Sequence, residues 1–133
     1  MKAALGHIGI NLSNSTKSFT LWKDLCTYFG FTISADPGHF HADDGHTYLC
    51  ISAAKKKHLA AGFHRKRTGL NHVAFRVRSA KEVDRFVEEF LKQRHISPLY
   101  GGAKAYPEYA QGYYAVYFED PDRIKVEVVC EPK

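Results

Sequence analysis

Long apolar runs are missing from this 133-residue chain. No segment approaches the roughly 20 apolar residues of a membrane helix, and MKAALGHIGI holds no apolar stretch of secretory-leader length. A cytoplasmic protein with no membrane contact is expected. Cysteine is scarce too: Cys26, Cys50 and Cys130 are odd in number, widely spaced and form no CxxC pair. That excludes a disulfide framework and a zinc knuckle and points to a reducing setting. The net charge of +5 gathers largely in KKKHLAAGFHRKR, where Lys55, Lys56, Lys57, Arg65, Lys66 and Arg67 surround a single aromatic ring, Phe63. A nucleic-acid channel needs aromatic platforms between its basic residues. The stretch reads as a solvated linker, and no nucleic-acid partner is expected.

What the chain does have is a repeat. Residues 7–12 alternate as a strand does, SNSTKS offers several helix caps, and Phe19, Trp22, Leu25, Cys26 and Phe29 recur at helical spacing. Gly30 ends that helix. A second strand is predicted over residues 31–34, Pro37-Gly38 turns the chain into HFHA, and Asp43-Asp44-Gly45 joins this to Tyr48–Ile51 as a hairpin. After a linker over 53–69 the order returns. NHVAFRV is a strand, and Ser79 with Glu82 forms a capping box. Val83, Phe86, Val87, Phe90 and Leu91 share one helical face. Strands are predicted over 96–100, 113–118 and 124–129, with a loop over 101–112. Sliding the first half by 65 positions lays His7 on His72, Asn14 on Ser79 and Phe31 on Ile96. Two copies of a long unit indicate pseudo-symmetric halves of one domain. The halves are a module over 4–52 and a module over 70–130, each βαβββ. One domain of this size buries about two-thirds of its unfolded surface.

His7 and His72 hold the same place in their modules, and Glu127 interrupts the apolar run Val126, Val128, Val129. Two imidazoles and one carboxylate form a ligand set that leaves positions open on a divalent ion, whether manganese, iron, nickel, cobalt or zinc. Binding through one carboxylate leaves roughly one positive charge at the centre, suited to a substrate offering two oxygens. Carried across the hairpin, the parity of Glu127 aims Tyr113 and Tyr117 at the same cavity. Tyr100, Tyr106, Tyr109, Tyr113 and Tyr114 crowd the long loop, as donors to an anionic substrate or an acid/base group, or as an aromatic packing patch or a dimer contact.

The duplicated βαβββ order with His7, His72 and Glu127 resembles the vicinal oxygen chelate superfamily of glyoxalases, fosfomycin-resistance enzymes, extradiol dioxygenases and bleomycin-resistance proteins. FEDPDRIKVEVV is similar to that superfamily's closing segment, with Arg123 in place of a glycine. The resemblance covers nearly the whole chain. It implies an α+β fold in which the two modules form a cup-shaped mixed sheet with flanking helices, usually in a homodimer. HTYLCIS resembles a strand of the fosfomycin thiol transferases, which places Tyr48 and Cys50 at the cavity. It also places His41 where a pocket tyrosine stands, and matches Tyr117 to a substrate-contacting tyrosine. Glyoxalase I enzymes carry a fourth, carboxylate ligand on the strand that is here residues 47–51, and none is present. Counting past the turn puts Leu49 at that ligand position; the alignment, which is preferred, puts Cys50 there. The function implied is a divalent-metal-dependent glyoxalase-like enzyme of lyase, isomerase or transferase type. Its substrate is a small oxygen-rich molecule, Glu127 and Tyr113 serve catalysis, and Tyr117, Tyr48, Cys50 and His41 contact substrate. The alternatives are a metal-free ligand-sequestering protein of bleomycin-resistance type and a ring-cleaving dioxygenase.

Overall fold

The computed structural model of the chain describes every residue except Asn14 and Lys133, so the predicted match of Asn14 to Ser79 lies outside the described residues. The chain divides into two compact units, Met1–Gly62 and Phe63–Lys133.

In the first unit, β1 (His7–Leu12), α1 (Thr16–Tyr28), β2 (Thr32–Asp36), β3 (His39–Asp43) and β4 (Tyr48–Ala53) follow one another. The strands order as β1-β4-β3-β2, with β1 parallel to β4 and the rest antiparallel. Helix α1 starts where the Ser15 hydroxyl accepts the Ser18 N–H at 3.2 Å. It stops at Gly30 (φ +80), where Gly30 N–H donates to Thr27 and Phe31 N–H to Cys26, the paired bonds of a Schellman ending. Its buried stripe is Ser18, Leu21, Trp22, Leu25 and Cys26. Period-two alternation buries Ile10, Leu12, Phe40, Ala42, Leu49 and Ile51. Phe19 of the helix meets Phe40 edge to face at 6.1 Å, so this is the helix-covered side of the sheet. The other side carries His7, His39, His41, Tyr48 and Cys50.

The second unit repeats the plan with β5 (Val73–Arg76), α2 (Ala80–Phe86), β6 (Lys104–Ala105), β7 (Tyr114–Glu119) and β8 (Lys125–Cys130), ordered β5-β8-β7-β6. Ser79 caps α2 by accepting the Glu82 N–H at 3.3 Å, while the Glu82 carboxylate reaches back one residue further than a capping box requires, to Arg78 N–H at 2.7 Å. Past Phe86 the helix widens into a π turn, Val87–Leu91, and tightens into a 3-10 turn, Lys92–Arg94. That insertion rotates the face: Val83, Phe86, Phe90 and Leu91 are fully buried, but Val87 is only half-buried. Phe86 packs on Phe118 at 5.8 Å, and the Tyr114 hydroxyl donates to Asp84 at 2.8 Å, which fixes the helix-covered side of this sheet.

The strand predicted over residues 96–100 is absent. Pro98 has no N–H to offer, and Tyr100, Gly101 and Gly102 have φ of 56°, 83° and 103°, which extended pairing forbids. The sheet's fourth strand forms later, where Lys104 and Ala105 pair with Ala115 and Tyr114 inside the predicted loop. Between the modules, Lys56–Ala61 is a 3-10 helix, and Arg65 pairs with Glu119. No helix among the described residues is long and apolar enough to cross a membrane.

Candidate functional site

Strand parity puts Ala74, Glu127 and Tyr117 side by side on the face of the second sheet away from the helix, since Ala74 pairs with Glu127 and Glu127 with Tyr117. The Glu127 side chain is only 2 % exposed, so the outward-pointing carboxylate that is ordinary near a strand end is not what forms. Burying a carboxylate costs several kcal/mol unless its oxygens are satisfied. Here they are. Tyr113 and Tyr117 each donate a phenol O–H to Oε1 at 2.6 Å, and His72 Nε2 stands 3.0 Å from Oε2. His72 Nδ1 is in turn 2.8 Å from the Asn71 amide oxygen, which orients the ring.

Burial and the bond to Glu127 push the ionisation of Tyr113 and Tyr117 well above the usual phenol range, so both remain donors at neutral pH. Tyr106 is raised as well, chiefly by burial, and its hydroxyl has no hydrogen-bond partner among the described residues. These groups surround a cavity of about 430 Å³, lined by His72, Glu127, Tyr113 and Tyr117 together with Asn71, Tyr100, Lys104, Tyr106, Tyr109 and Lys125. Tyr106 stacks on Tyr109 and meets Tyr113 and Tyr117 edge on.

In the first unit, His7 stacks on Tyr48 at 4.7 Å, and His41 lies 5.2 Å from the same ring and 5.7 Å from His39. The two registers can be laid over each other. Gly9 pairs with Cys50 as Ala74 pairs with Glu127, and His41 pairs with Cys50 as Tyr117 pairs with Glu127. Cys50, not Leu49, is therefore the counterpart of Glu127, and His41 the counterpart of Tyr117.

Of the residues named from sequence, His72, Glu127, Tyr113 and Tyr117 meet in one cavity of the second unit, and His7, His41, Tyr48 and Cys50 share one face of the first. Among the described residues, no three His, Cys, Asp or Glu side chains gather as a metal-holding set. Sequence reasoning passed over Asn71, Lys104 and Lys125. The signal for Lys125 was present, since it lies two residues from Glu127 on the same strand face.

The profile of the Glyoxalase/Bleomycin resistance protein/Dioxygenase superfamily matches residues 4–128. The chain belongs to this superfamily. Its members include lyases, fosfomycin-modifying enzymes and dioxygenases, typically dependent on a divalent metal, acting on small molecules and often dimeric. A crystal structure of a candidate glyoxalase from Bacillus halodurans is 35% identical, covers 96% of this chain and 95% of its own, and superposes with a TM-score of 0.81. YqjT of Bacillus subtilis is 42% identical over 89 residues, 62% of this chain and 63% of YqjT, so the match spans under two-thirds of that relative. The fosfomycin resistance protein FosX from Listeria monocytogenes shares the fold, with a TM-score of 0.69 at 19% identity over 99% of this chain and 96% of its own. The two four-stranded mixed sheets with their helices are the superfamily's α+β fold.

Proposed function

We propose that the protein is a divalent-metal-dependent enzyme of glyoxalase-like type that acts on a small oxygen-rich molecule in the tyrosine-walled cavity. The observation that carries this is the pairing of Glu127 Oε2 with His72 Nε2 at 3.0 Å. The donor chemistry fits a metal. Glu127 Oε1 is already taken by two phenols, which leaves Oε2 as the coordinating oxygen, and Asn71 steers the imidazole so that Nε2 faces it. His72 and Glu127 would hold the ion, with His7 as third ligand on the strength of its matching place in the repeat. A bound divalent ion would supply Lewis-acid polarisation to a substrate presenting two oxygens.

The protein's own groups do the rest. Tyr113 and Tyr117 hold their protons at Glu127 Oε1 and fix the carboxylate's rotamer. Tyr113, only half-buried, is also the phenol able to turn toward a substrate oxygen and share its proton there. Tyr48, Cys50 and His41 are proposed to contact substrate, and a homodimer is the proposed assembly. Metal analysis of purified protein tests the reading. One equivalent of divalent metal per site, lost in Glu127→Ala and in His72→Ala with circular dichroism unchanged, is expected; metal content indifferent to both substitutions contradicts it.

A metal-free binding protein is the second reading, because two phenol hydrogen bonds and the His72 contact at 3.0 Å already surround Glu127 without an ion. Ligand binding that persists unchanged after chelation would favour it.

A further inference from the structure

Lys125 faces Glu119 directly across the β7–β8 pair, an arrangement that ordinarily yields an ion pair. Glu119 is taken instead. Arg65 holds its Oε1, and Arg123 Nε lies 3.5 Å from its Oε2. Lys125 is left with no carboxylate among the described residues, and its ammonium turns toward tyrosine faces, 5.4 Å from the Tyr117 ring centre and 5.9 Å from that of Tyr100. Lys104 is in the same position from the other edge of the sheet, with no carboxylate partner among the described residues and its ammonium 5.3 Å from the Tyr106 ring. Both lysines line the cavity that holds His72 and Glu127.

Three facts then coincide in one cavity. Two ammoniums stand against the single carboxylate of Glu127, whose Oε1 already accepts two phenols and whose Oε2 faces His72. The Tyr106 hydroxyl is buried with no partner among the described residues, an unfavourable state until an acceptor reaches it. Tyr100 and Tyr109 line the cavity yet stay 50% and 63% exposed, flat aromatic surface of the kind that marks a binding site.

We infer that the cavity takes a small planar or aromatic oxyanion, its carboxylate or phosphonate group held by Lys104 and Lys125 and its flat body lying against Tyr100 and Tyr109. The Tyr106 O–H donates to an oxygen of the same ligand. This inference names the substrate class and rests on the proposal that the cavity is where substrate binds, but it does not depend on the metal.

The test titrates benzoate, phenylphosphonate and the neutral isostere benzamide into the purified full chain, once with chelator and once with Mn²⁺, followed by calorimetry. Saturable binding of at least one anion is expected, about tenfold or more tighter than benzamide. Lys104→Gln and Lys125→Gln should each weaken it about tenfold, and Tyr106→Phe several-fold. Tighter binding of phenylphosphonate assigns a dianionic head group, and tighter binding of benzoate a carboxylate; either result supports the inference. Equal binding of benzoate and benzamide, affinity untouched by both lysine substitutions, or no saturable binding of either anion at millimolar concentration overturns it. Lysine-dependent binding in chelator by a protein that takes up no Mn²⁺ would leave this inference standing and remove the metal reading.

Discussion

The two units use one backbone plan for two different surfaces. In both, a helix covers one side of a four-stranded sheet whose strand order is first, fourth, third, second. On the open side of the first sheet the matched positions hold Cys50 and His41, partly or fully exposed. On the second they hold Glu127 and Tyr117, both buried. The strands do not make this difference. It arises in the loop between β6 and β7, which brings Tyr106 and Tyr109 over the sheet and lets Tyr113 reach Glu127. The same polar position is therefore a surface residue in one unit and the hydrogen-bonded floor of a cavity in the other.

The sharpest way to break the comparison is to substitute the matched pair. Glu127→Ala leaves the Tyr117 and Tyr113 phenols without their acceptor and removes the carboxylate beside His72, and should cost about 2–4 kcal/mol. Cys50→Ala should cost under about 1 kcal/mol. Urea denaturation of both variants reads the difference, and equal losses would show that the cavity floor is no more tightly built than the first unit's open face.

Next in size are Tyr117→Phe and Tyr113→Phe, each expected to cost about 1–2 kcal/mol as a charge-assisted bond is lost. Both donate to Oε1, so the double variant should depart from additivity, whereas His41→Ala combined with either should add.

Alkaline pH probes the same bonds. Phenols with ionisation raised in the folded state bind their protons more tightly there than in the unfolded chain, where the ordinary value is 10.0. Their contribution is complete below that value and is lost as pH rises from it toward the folded-state ionisation. Ultraviolet titration should show at least two tyrosines that ionise only with unfolding, and the Tyr113→Phe, Tyr117→Phe double variant should lose two members of that class.

The smallest effect lies in the hairpin turns. Asp44 and Asp120 do the same work, each accepting two backbone N–H groups through one Oδ1. The first turn has Gly45 at φ 90°, while the second has Arg123 at φ 66°. Arg123→Gly should therefore raise stability by at most about 1 kcal/mol, less whatever the contact with Glu119 contributes, and Gly45→Ala should lower it by about as much. Thermal melts of the two variants should shift in opposite directions.

Much of this plan was legible in the sequence because its signals are local. The Ser79 cap and the glycine ending of α1 are read within a few residues, and the 65-residue offset of His7 and His72 follows from two such local patterns recurring. Strand parity alone puts Tyr113 and Tyr117 on the face of Glu127. What escaped depends on backbone detail or distant partners. The π turn at Val87–Leu91 keeps the apolar spacing nearly helical while rotating the face. The left-handed run at Tyr100–Gly102 moved a strand by several residues. Strand parity puts Lys125 on the face of Glu127, but that its natural partner, Glu119, is taken by Arg65 from 54 positions earlier is a capture that no local pattern records.

Histidine side-chain nuclear magnetic resonance during Mn²⁺ addition tests the metal proposal most directly, because the eight imidazoles report separately. The account predicts that the His72 ring, assigned through His72→Gln, broadens first and at substoichiometric metal along with His7, that the other six rings, His39, His41, His46, His58, His64 and His95, are less affected, and that Glu127→Gln abolishes the effect. A sharp His72 resonance at a full equivalent of Mn²⁺, with broadening spread over the other rings, would contradict it.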